Sequence, residues 1–455
     1  MFRLTLETPT KDEVIWSYDP RTSTFVDEAR QERVFFGRHD DTPVAYHVAH
    51  QIAPDNPAGK KRNPKSVKIQ MGFSCNFSCA YCNQAEHSHY VGGGTAKAQA
   101  FLENVSKWYD GGEDGTGTGT QFEFWGGEPF LYFVHMKALH GGLAGAYPNA
   151  RFQVITNGSF FDDPEKVDWI IDNSINVAVS HDGPGQHLRE GKEYDILDNP
   201  DIVANLQRLL GVGSLGFNSV LTNGNMSLAS IRQHIEGKLG ARPNQISHGT
   251  EEILLPYDAY AMMVTPQNAE DHKVALHTLF FEAASGATFP HNNSIRNKID
   301  DFMLSVDKQR PVEALGQKCG MDREDSIAID LEGNVTTCHN TAADSKHLLG
   351  NIEDLGSVKL TTAHHHQTRD ECRSCPVVQL CKGSCMFLEG DAFKGACDVS
   401  FTYNTAMLAT AIYVATGGAV LRRMEGPARD GGVLDMKVIE DGEIAILAGK
   451  AKAAA

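Results

Sequence analysis

Residues 68–84 read Lys-Ile-Gln-Met-Gly-Phe-Ser-Cys-Asn-Phe-Ser-Cys-Ala-Tyr-Cys-Asn-Gln. Cys75, Cys79 and Cys82 are spaced C-x3-C-x2-C and follow the apolar run Val67–Met71, so they fall on the loop leaving a strand. Three thiolates this close can hold three corners of a cubane iron–sulfur cluster and leave its fourth iron without a protein ligand. An open iron can bind and reduce a small molecule, which a closed electron-transfer cluster does not offer. The alternatives are a zinc site or three reduced buried thiols. Zinc structural sites usually take four ligands in two pairs, and this triplet has no paired partner nearby.

Around the triplet, residues 66 to about 287 alternate strand and helix patterns. The expected strands are Val67–Met71, Phe122–Trp125, Phe152–Thr156, Ile175–Ser180, Asn218–Thr222 and Tyr260–Thr265. Two intervening helices carry clear start signals. Asp163-Pro164-Glu165 opens one, with Val167, Ile170 and Ile171 on its apolar side. Asn199-Pro200-Asp201 opens another, which Gly211 is expected to close. Six βα units fall short of the eight units and roughly 250 residues of a full barrel, so a partial barrel fits. Chemistry in such folds gathers where strands end. Three motifs lie there: Trp125-Gly126-Gly127-Glu128-Pro129, Thr156-Asn157-Gly158 and Ser180-His181-Asp182-Gly183-Pro184. Each is also turn chemistry in itself.

The cysteine triplet, with Tyr81 before its third member, resembles the radical S-adenosylmethionine (SAM) superfamily. The resemblance implies that the open iron chelates the amino and carboxylate groups of SAM. One electron then cleaves the sulfonium, and a 5′-deoxyadenosyl radical abstracts a substrate hydrogen. It further implies that Gly126, Gly127 and Glu128 match the Gly-Gly-Glu-Pro motif, whose glutamate holds the SAM amino group. Asn157, Ser180 and Arg189 join Tyr81 as cofactor-contacting positions. Asp182 is either a base or a turn former. The Ser-x-Asp-Gly-Pro signature is similar to that of the branch that modifies peptides and proteins. His181 departs from it, since a hydrophobic residue is common there. Asn83 departs too, standing where many relatives have an aromatic.

The other seven cysteines, Cys319, Cys338, Cys372, Cys375, Cys381, Cys385 and Cys397, read C-x18-C and then C-x2-C-x5-C-x3-C-x11-C after a gap. With Gly333 five positions before Cys338 and the run Leu380-Cys381-x-Gly383-x-Cys385, this resembles the SPASM auxiliary-cluster domain. The resemblance implies one 4Fe–4S cluster on Cys372, Cys375, Cys381 and Cys397. A second falls on Cys319, Cys338 and Cys385, with its last corner left to water, substrate or a side chain such as Asp325. Two zinc knuckles are the alternative. His364-His365-His366 is expected in a surface loop.

The fold class is thus α/β: a partial (β/α)6 radical SAM barrel, a C-terminal cysteine-rich SPASM domain and a small β-rich N-terminal segment. Residues 1–65 form that segment and a linker, 66–300 the barrel and 301–410 the iron–sulfur domain. Residues 411–455 hold a helix end, a short β pair at 436–439 and 443–447, and a tail. In the first segment Val14–Tyr18, Thr24–Val26, Arg33–Phe36 and Val44–Val48 read as strands. A net charge of −17 over 455 residues opposes a nucleic-acid partner, which needs a basic face. The start lacks a signal-peptide core, and ten thiols suit the cytoplasm. The charge-free run Val399–Leu421 is read as a buried helix and turn because it carries Ser400, Thr402, Asn404 and Thr405, so no membrane is expected.

Together these readings give an enzyme that abstracts a hydrogen from a ribosomally made precursor peptide and closes an intrapeptide cross-link, carbon–carbon in preference to thioether. It would use SAM and three 4Fe–4S clusters, with an electron donor such as flavodoxin or ferredoxin. The alternatives are a sulfatase-type maturase that oxidises Ser or Cys to formylglycine, a small-molecule dehydrogenase, and a non-catalytic iron–sulfur carrier or scaffold.

Overall fold

A computed structural model describes residues 1–37, 42, 44–87, 95–190, 195–255, 259–284, 292–427, 434 and 435. The chain opens with four short antiparallel strands, β1 (Phe2–Glu7), β2 (Glu13–Asp19), β3 (Thr24–Asp27) and β4 (Glu32–Val34). Phe2, Leu4 and Leu6 alternate inward along β1, the period that one buried sheet face demands. Tyr18 stacks on Phe25 at 4.1 Å. Phe25 and Phe36 meet Phe302 edge-on, which seats this sheet on the helix Asn293–Asp307. Val44–Val48, expected as a strand, pairs with nothing in a ladder, and Val48 is 71% exposed.

After β5 (Ala58–Gly59), the strands β6 (Ser66–Gln70), β7 (Gln121–Trp125), β8 (Arg151–Thr156), β9 (Asn176–Ser180), β10 (Leu215–Leu221) and β11 (Ser247–Ile253) lie side by side in chain order, all parallel. Helices Phe133–Ala146, Pro164–Asp172, Pro200–Gly211 and Leu228–Leu239 fill the connections. Asp163 and Asn199 cap two of them, each followed by proline at the first turn. The left-handed residue that ends the second is Gly213, not Gly211, which remains helical.

The sixth strand is the main correction. The segment expected at Tyr260–Thr265 contains the helix Ala259–Met263, and the strand is β11. The buried alternate positions of β11 are His248, Thr250 and Glu252, so an apolar alternation rule passes over it. Each buried polar group has a partner: Ser219 Oγ lies 2.8 Å from His248 Nε2, Asn292 donates to Thr250 Oγ1, and Lys298 donates to Glu252.

The sheet continues beyond β6. Strand β12 (Ser326–Asp330) adds in parallel, and β13 (Asn334–Thr336) and β14 (Leu348–Asn351) follow antiparallel. Strand β15 (Lys359–Leu360) pairs with β5. The cysteine-rich region is therefore hydrogen-bonded directly to the parallel sheet.

Helix Gly390–Thr416 is buried along most of its length, and several of its polar residues bond inside the protein. Ser400 Oγ meets Ser384 Oγ at 2.9 Å, and Asn404 donates to Ser400 O at 2.7 Å. Among the described residues no helix is long and apolar enough to cross a membrane. Gly417 in the left-handed region stops the helix, and β16 (Val420–Glu425) returns to pair antiparallel with β1. Strand β17 (Leu434–Asp435) lies outside β16. The short β pair expected at 436–439 and 443–447 and the tail lie outside the described residues.

Phe302 joins the N-terminal sheet to the helix beneath it. Replacing it with alanine is expected to cost about 3–5 kcal/mol, read as a lower urea midpoint by circular dichroism.

Candidate functional site

The cysteine loop is held by side chains, with Ser74 N donating to the Tyr132 hydroxyl and Asn76 bonded to Asn157 and Ser159, and by close backbone contact. Gly127 N donates to Gly72 O and Glu128 N to Ser74 O, both at 2.9 Å. A Cβ at Gly127 would lie 2.3 Å from Ser74 O, and one at Gly126 would lie 2.7 Å from Gly72 O. Only glycine permits that approach. The Gly-Gly turn after β7 is thus the platform on which the loop after β6 rests.

Cys75, Cys79 and Cys82 are free thiols, and all three line one cleft at the C-terminal strand ends. Phe77 N and Gln84 N each donate to a sulfur, Cys75 and Cys82 respectively, at 3.4 Å. Burial pushes the Cys75 thiol up to about 11 and the Cys79 thiol up to about 12. Without a cation these groups stay protonated at neutral pH, so a bound metal gives them reason to ionise. Three free thiols opening on one cleft are a soft donor set that fits an iron–sulfur group, whereas a structural zinc asks for four ligands.

Most of the other expected residues gather on this cleft. Tyr81, Gly126, Gly127, Asn157, Ser180 and Arg189 line it. Asn157 Nδ2 sits 4.0 Å from Cys75 Sγ. Glu128 lies beneath the turn and is fully buried. Its oxygens accept from Phe130 N at 3.0 Å, Thr156 Oγ1 at 2.7 Å and Asn157 N at 2.8 Å. Burial outweighs those bonds and raises its carboxyl to about 7. The carboxylate ties the β7 and β8 turns together.

Asp182 is likewise engaged. Arg189 grips both of its oxygens, each at 3.0 Å, Val220 N donates at 2.9 Å, and the Tyr81 hydroxyl bonds it as well. With its lone pairs occupied, Asp182 anchors Arg189, whose guanidinium faces the cleft 5.7 Å above the Tyr81 ring.

His181 explains its departure from a hydrophobic residue. Its Nδ1 accepts from Gly183 N at 3.0 Å, so its proton is on Nε2, pointing at Asp195 Oδ1 2.8 Å away. His234 Nε2 approaches the other oxygen at 2.7 Å. This His–Asp–His group has ligand atoms close enough for one ion. The tautomer that the Gly183 bond imposes leaves His181 Nε2 without a lone pair to offer, so the group serves to clamp the loop carrying Arg189.

The opposite wall of the cleft went unread in the sequence. Glu252 of β11, Lys318 and His339 line it. Glu252 is 2% exposed and pairs with Lys298 at 2.9 Å and Lys318 at 3.1 Å. The His339 ring packs edge-on against Trp125 at 4.2 Å, and its buried Nδ1 has no hydrogen-bond partner among the described residues. Burial drives that imidazole well below its ordinary range, leaving it neutral. The sequence signal was available: Lys318 and His339 each adjoin a cysteine.

The seven later cysteines separate into two groups. Cys372, Cys375, Cys381 and Cys397 line one small cavity with Gly383 and Ser384. Cys319, Cys338 and Cys385 lie near one another, each close enough to disfavour charge on another. Asp325, suggested for the open corner, is held by Arg323 through two bonds of 2.8 Å. The His364–His366 run is not a surface loop: His365 and His366 are buried, their rings 3.9 Å apart, and His365 Nε2 lies 2.9 Å from Leu315 O.

No family model matches the chain. It is 23% identical over 343 residues to a cysteine-type anaerobic sulfatase-maturating enzyme of Clostridium perfringens, covering 71% of this chain and 89% of that protein. Among solved structures it is similar to native anSMEcpe with bound AdoMet and Cp18Cys peptide. That match has a TM-score of 0.57 at 19% identity and covers 78% of this chain and 99% of the other. Native anSMEcpe with bound AdoMet aligns at a TM-score of 0.55 and 18% identity, covering 77% and 99%. The likeness at this identity establishes a shared α/β fold with a central, mostly parallel sheet.

Asp182→Asn leaves the buried Arg189 charge without its counter-ion. A loss of about 3–5 kcal/mol is expected, measured as a fall in the urea midpoint; an unchanged midpoint would show that water replaces the carboxylate.

Proposed function

We propose that this chain is a radical SAM maturase acting on a peptide, built as a partial (β/α)6 barrel followed by a SPASM domain. One observation carries the reading: three free thiols, a glycine turn and an anchored arginine converge on one cleft at the ends of parallel strands. Its similarity to an anaerobic sulfatase-maturating enzyme supports it.

Cys75, Cys79 and Cys82 would hold three irons of a 4Fe–4S cluster, with SAM on the fourth. When bound, this pair supplies one-electron cleavage of the sulfonium and a 5′-deoxyadenosyl radical that takes a substrate hydrogen. The chain's own residues arrange that chemistry. Phe77 N and Gln84 N stabilise thiolate charge. Arg189, fixed by Asp182, presents a cation suited to the SAM carboxylate. Asn157 and Ser180 add polar groups on the same side, and Gly126 and Gly127 let backbone approach the cofactor. Glu128 keeps the platform in register from below. Cys372, Cys375, Cys381 and Cys397 would hold a fully ligated auxiliary cluster. Cys319, Cys338 and Cys385 would hold another with an open corner. An electron donor such as flavodoxin or ferredoxin would serve all three, and such thiols suit the reducing cytoplasm.

Two products are in view. Oxidation of Ser or Cys to formylglycine is supported by similarity that spans 89% of a cysteine-type sulfatase-maturating enzyme. An intrapeptide cross-link in a ribosomal precursor, carbon–carbon before thioether, is supported by the group of Cys319, Cys338 and Cys385, one thiol short of closing a cluster.

Anaerobically reconstituted protein given SAM and dithionite is expected to form 5′-deoxyadenosine, and Cys79→Ala to reduce this to background. Absence of the product with clusters intact would leave an electron carrier. Peptide products are separated by mass and by an aldehyde probe. A cross-link removes two hydrogens and gives no aldehyde adduct, whereas formylglycine gives the adduct.

A further inference from the structure

Between the cleft and the four-thiol cavity stands a wall of three charges. Glu252 lies on β11, Lys298 on helix Asn293–Asp307, and Lys318 directly before Cys319. Lys298 Nζ donates to Glu252 Oε1, to Leu380 O and to Asn404 Oδ1, all at 2.9 Å. Leu380 adjoins Cys381, and Asn404 is on the helix that also carries Cys397. Lys298 is therefore fastened to the carbonyl of the residue before one cavity cysteine and to the helix that carries another. On the other side, Glu252 and Lys318 form part of the cleft surface. The wall holds one carboxylate and two ammonium groups, a net charge of +1 in a chain of net −17. The side chains are 2%, 17% and 27% exposed, so solvent screens them little.

We propose that Glu252, Lys298 and Lys318 are positioning residues that set the reduction potentials of the auxiliary clusters, with Lys298 acting on the Cys372/Cys375/Cys381/Cys397 group and Lys318 on both groups. This rests on the proposed cluster assignment. Reduction of such a cluster from its 2+ to its 1+ state adds one electron and no other atom. A neighbouring cation stabilises that added charge and raises the potential, and an anion lowers it. Burial makes each effect larger than at a surface. The same directions act on the thiols: at Cys381 the wall acts after burial, Glu252 opposing ionisation and Lys298 and Lys318 favouring it, and Lys318 favours it at Cys319. Neighbouring Tyr403 lies under the same influence, with the Lys298 ammonium 5.6 Å from its ring centre.

The test is an EPR-monitored redox titration of the anaerobically reconstituted full-length protein. Iron content and the number of distinct reduced-cluster signals are measured first. Lys298→Met is expected to shift one auxiliary potential downward and leave the SAM-site cluster unmoved. Lys298→Arg keeps the charge and should keep the potential. Glu252→Gln should shift the same cluster upward, and Lys318→Met should lower both auxiliary potentials. Unmoved auxiliary potentials in Lys298→Met and Glu252→Gln, with three clusters present, overturn the proposal alone. Fewer than three clusters in the unsubstituted protein overturn the assignment beneath it, and the proposal falls with it.

Discussion

The site depends on a contact that no side chain can enter. The loop after β6 lies against the turn after β7 with carbonyl oxygens where a Cβ would be. That closeness sets the cysteines relative to the strand ends, and the strand ends in turn carry Asn157, Ser180 and the Asp182–Arg189 pair. Backbone contacts of this kind have few soft degrees of freedom, so the sulfurs are placed by the sheet itself. Glu128 extends the same logic, bonding the first turn to the next with three donors inside a dry environment.

The carboxylates of the site follow one pattern. Asp182, Glu128 and Glu252 are each buried, and each is satisfied by a cation or by amide and hydroxyl donors. Burying a charge is costly unless its partners come with it. These groups work by holding other groups still: an arginine, a turn and a pair of lysines. The cleft is consequently lined by thiols, amides, hydroxyls and a neutral imidazole together with charged groups already paired, Arg189, Glu252 and Lys318.

Where the sequence was legible, the reason was local chemistry. The C-x3-C-x2-C spacing, the Gly-Gly-Glu-Pro turn and the capped helices after Asp163 and Asn199 depend on neighbours a few residues away, and the structure has the turn, both helices and five parallel strands in those places. The later cysteines gather in two places, four around one cavity and three near one another, a grouping that periodicity alone does not give. What escaped was decided by distant partners. Strand β11 is polar inward because Ser219, Asn292 and Lys298 await it from other elements. Val44–Val48 has strand composition but joins no ladder among the described residues. His365 and His366 look like surface polarity until packing encloses them. Strand β1, Phe2–Glu7, was not among the expected strands, and its second neighbour, β16, comes from far along the chain.

That second neighbour has a bearing on how the chain acquires its shape. Strand β1 is made long before residues 420–425 and can pair early with β2, yet its other edge is met by β16. Until those residues are made, that edge offers unsatisfied amides and carbonyls to any passing strand. The antiparallel seam between β1 and β16 therefore acts as a late fastener: one margin stays unbuttoned while the parallel sheet and the cysteine-rich region are synthesised, and closing it ties β1 to what was made after them.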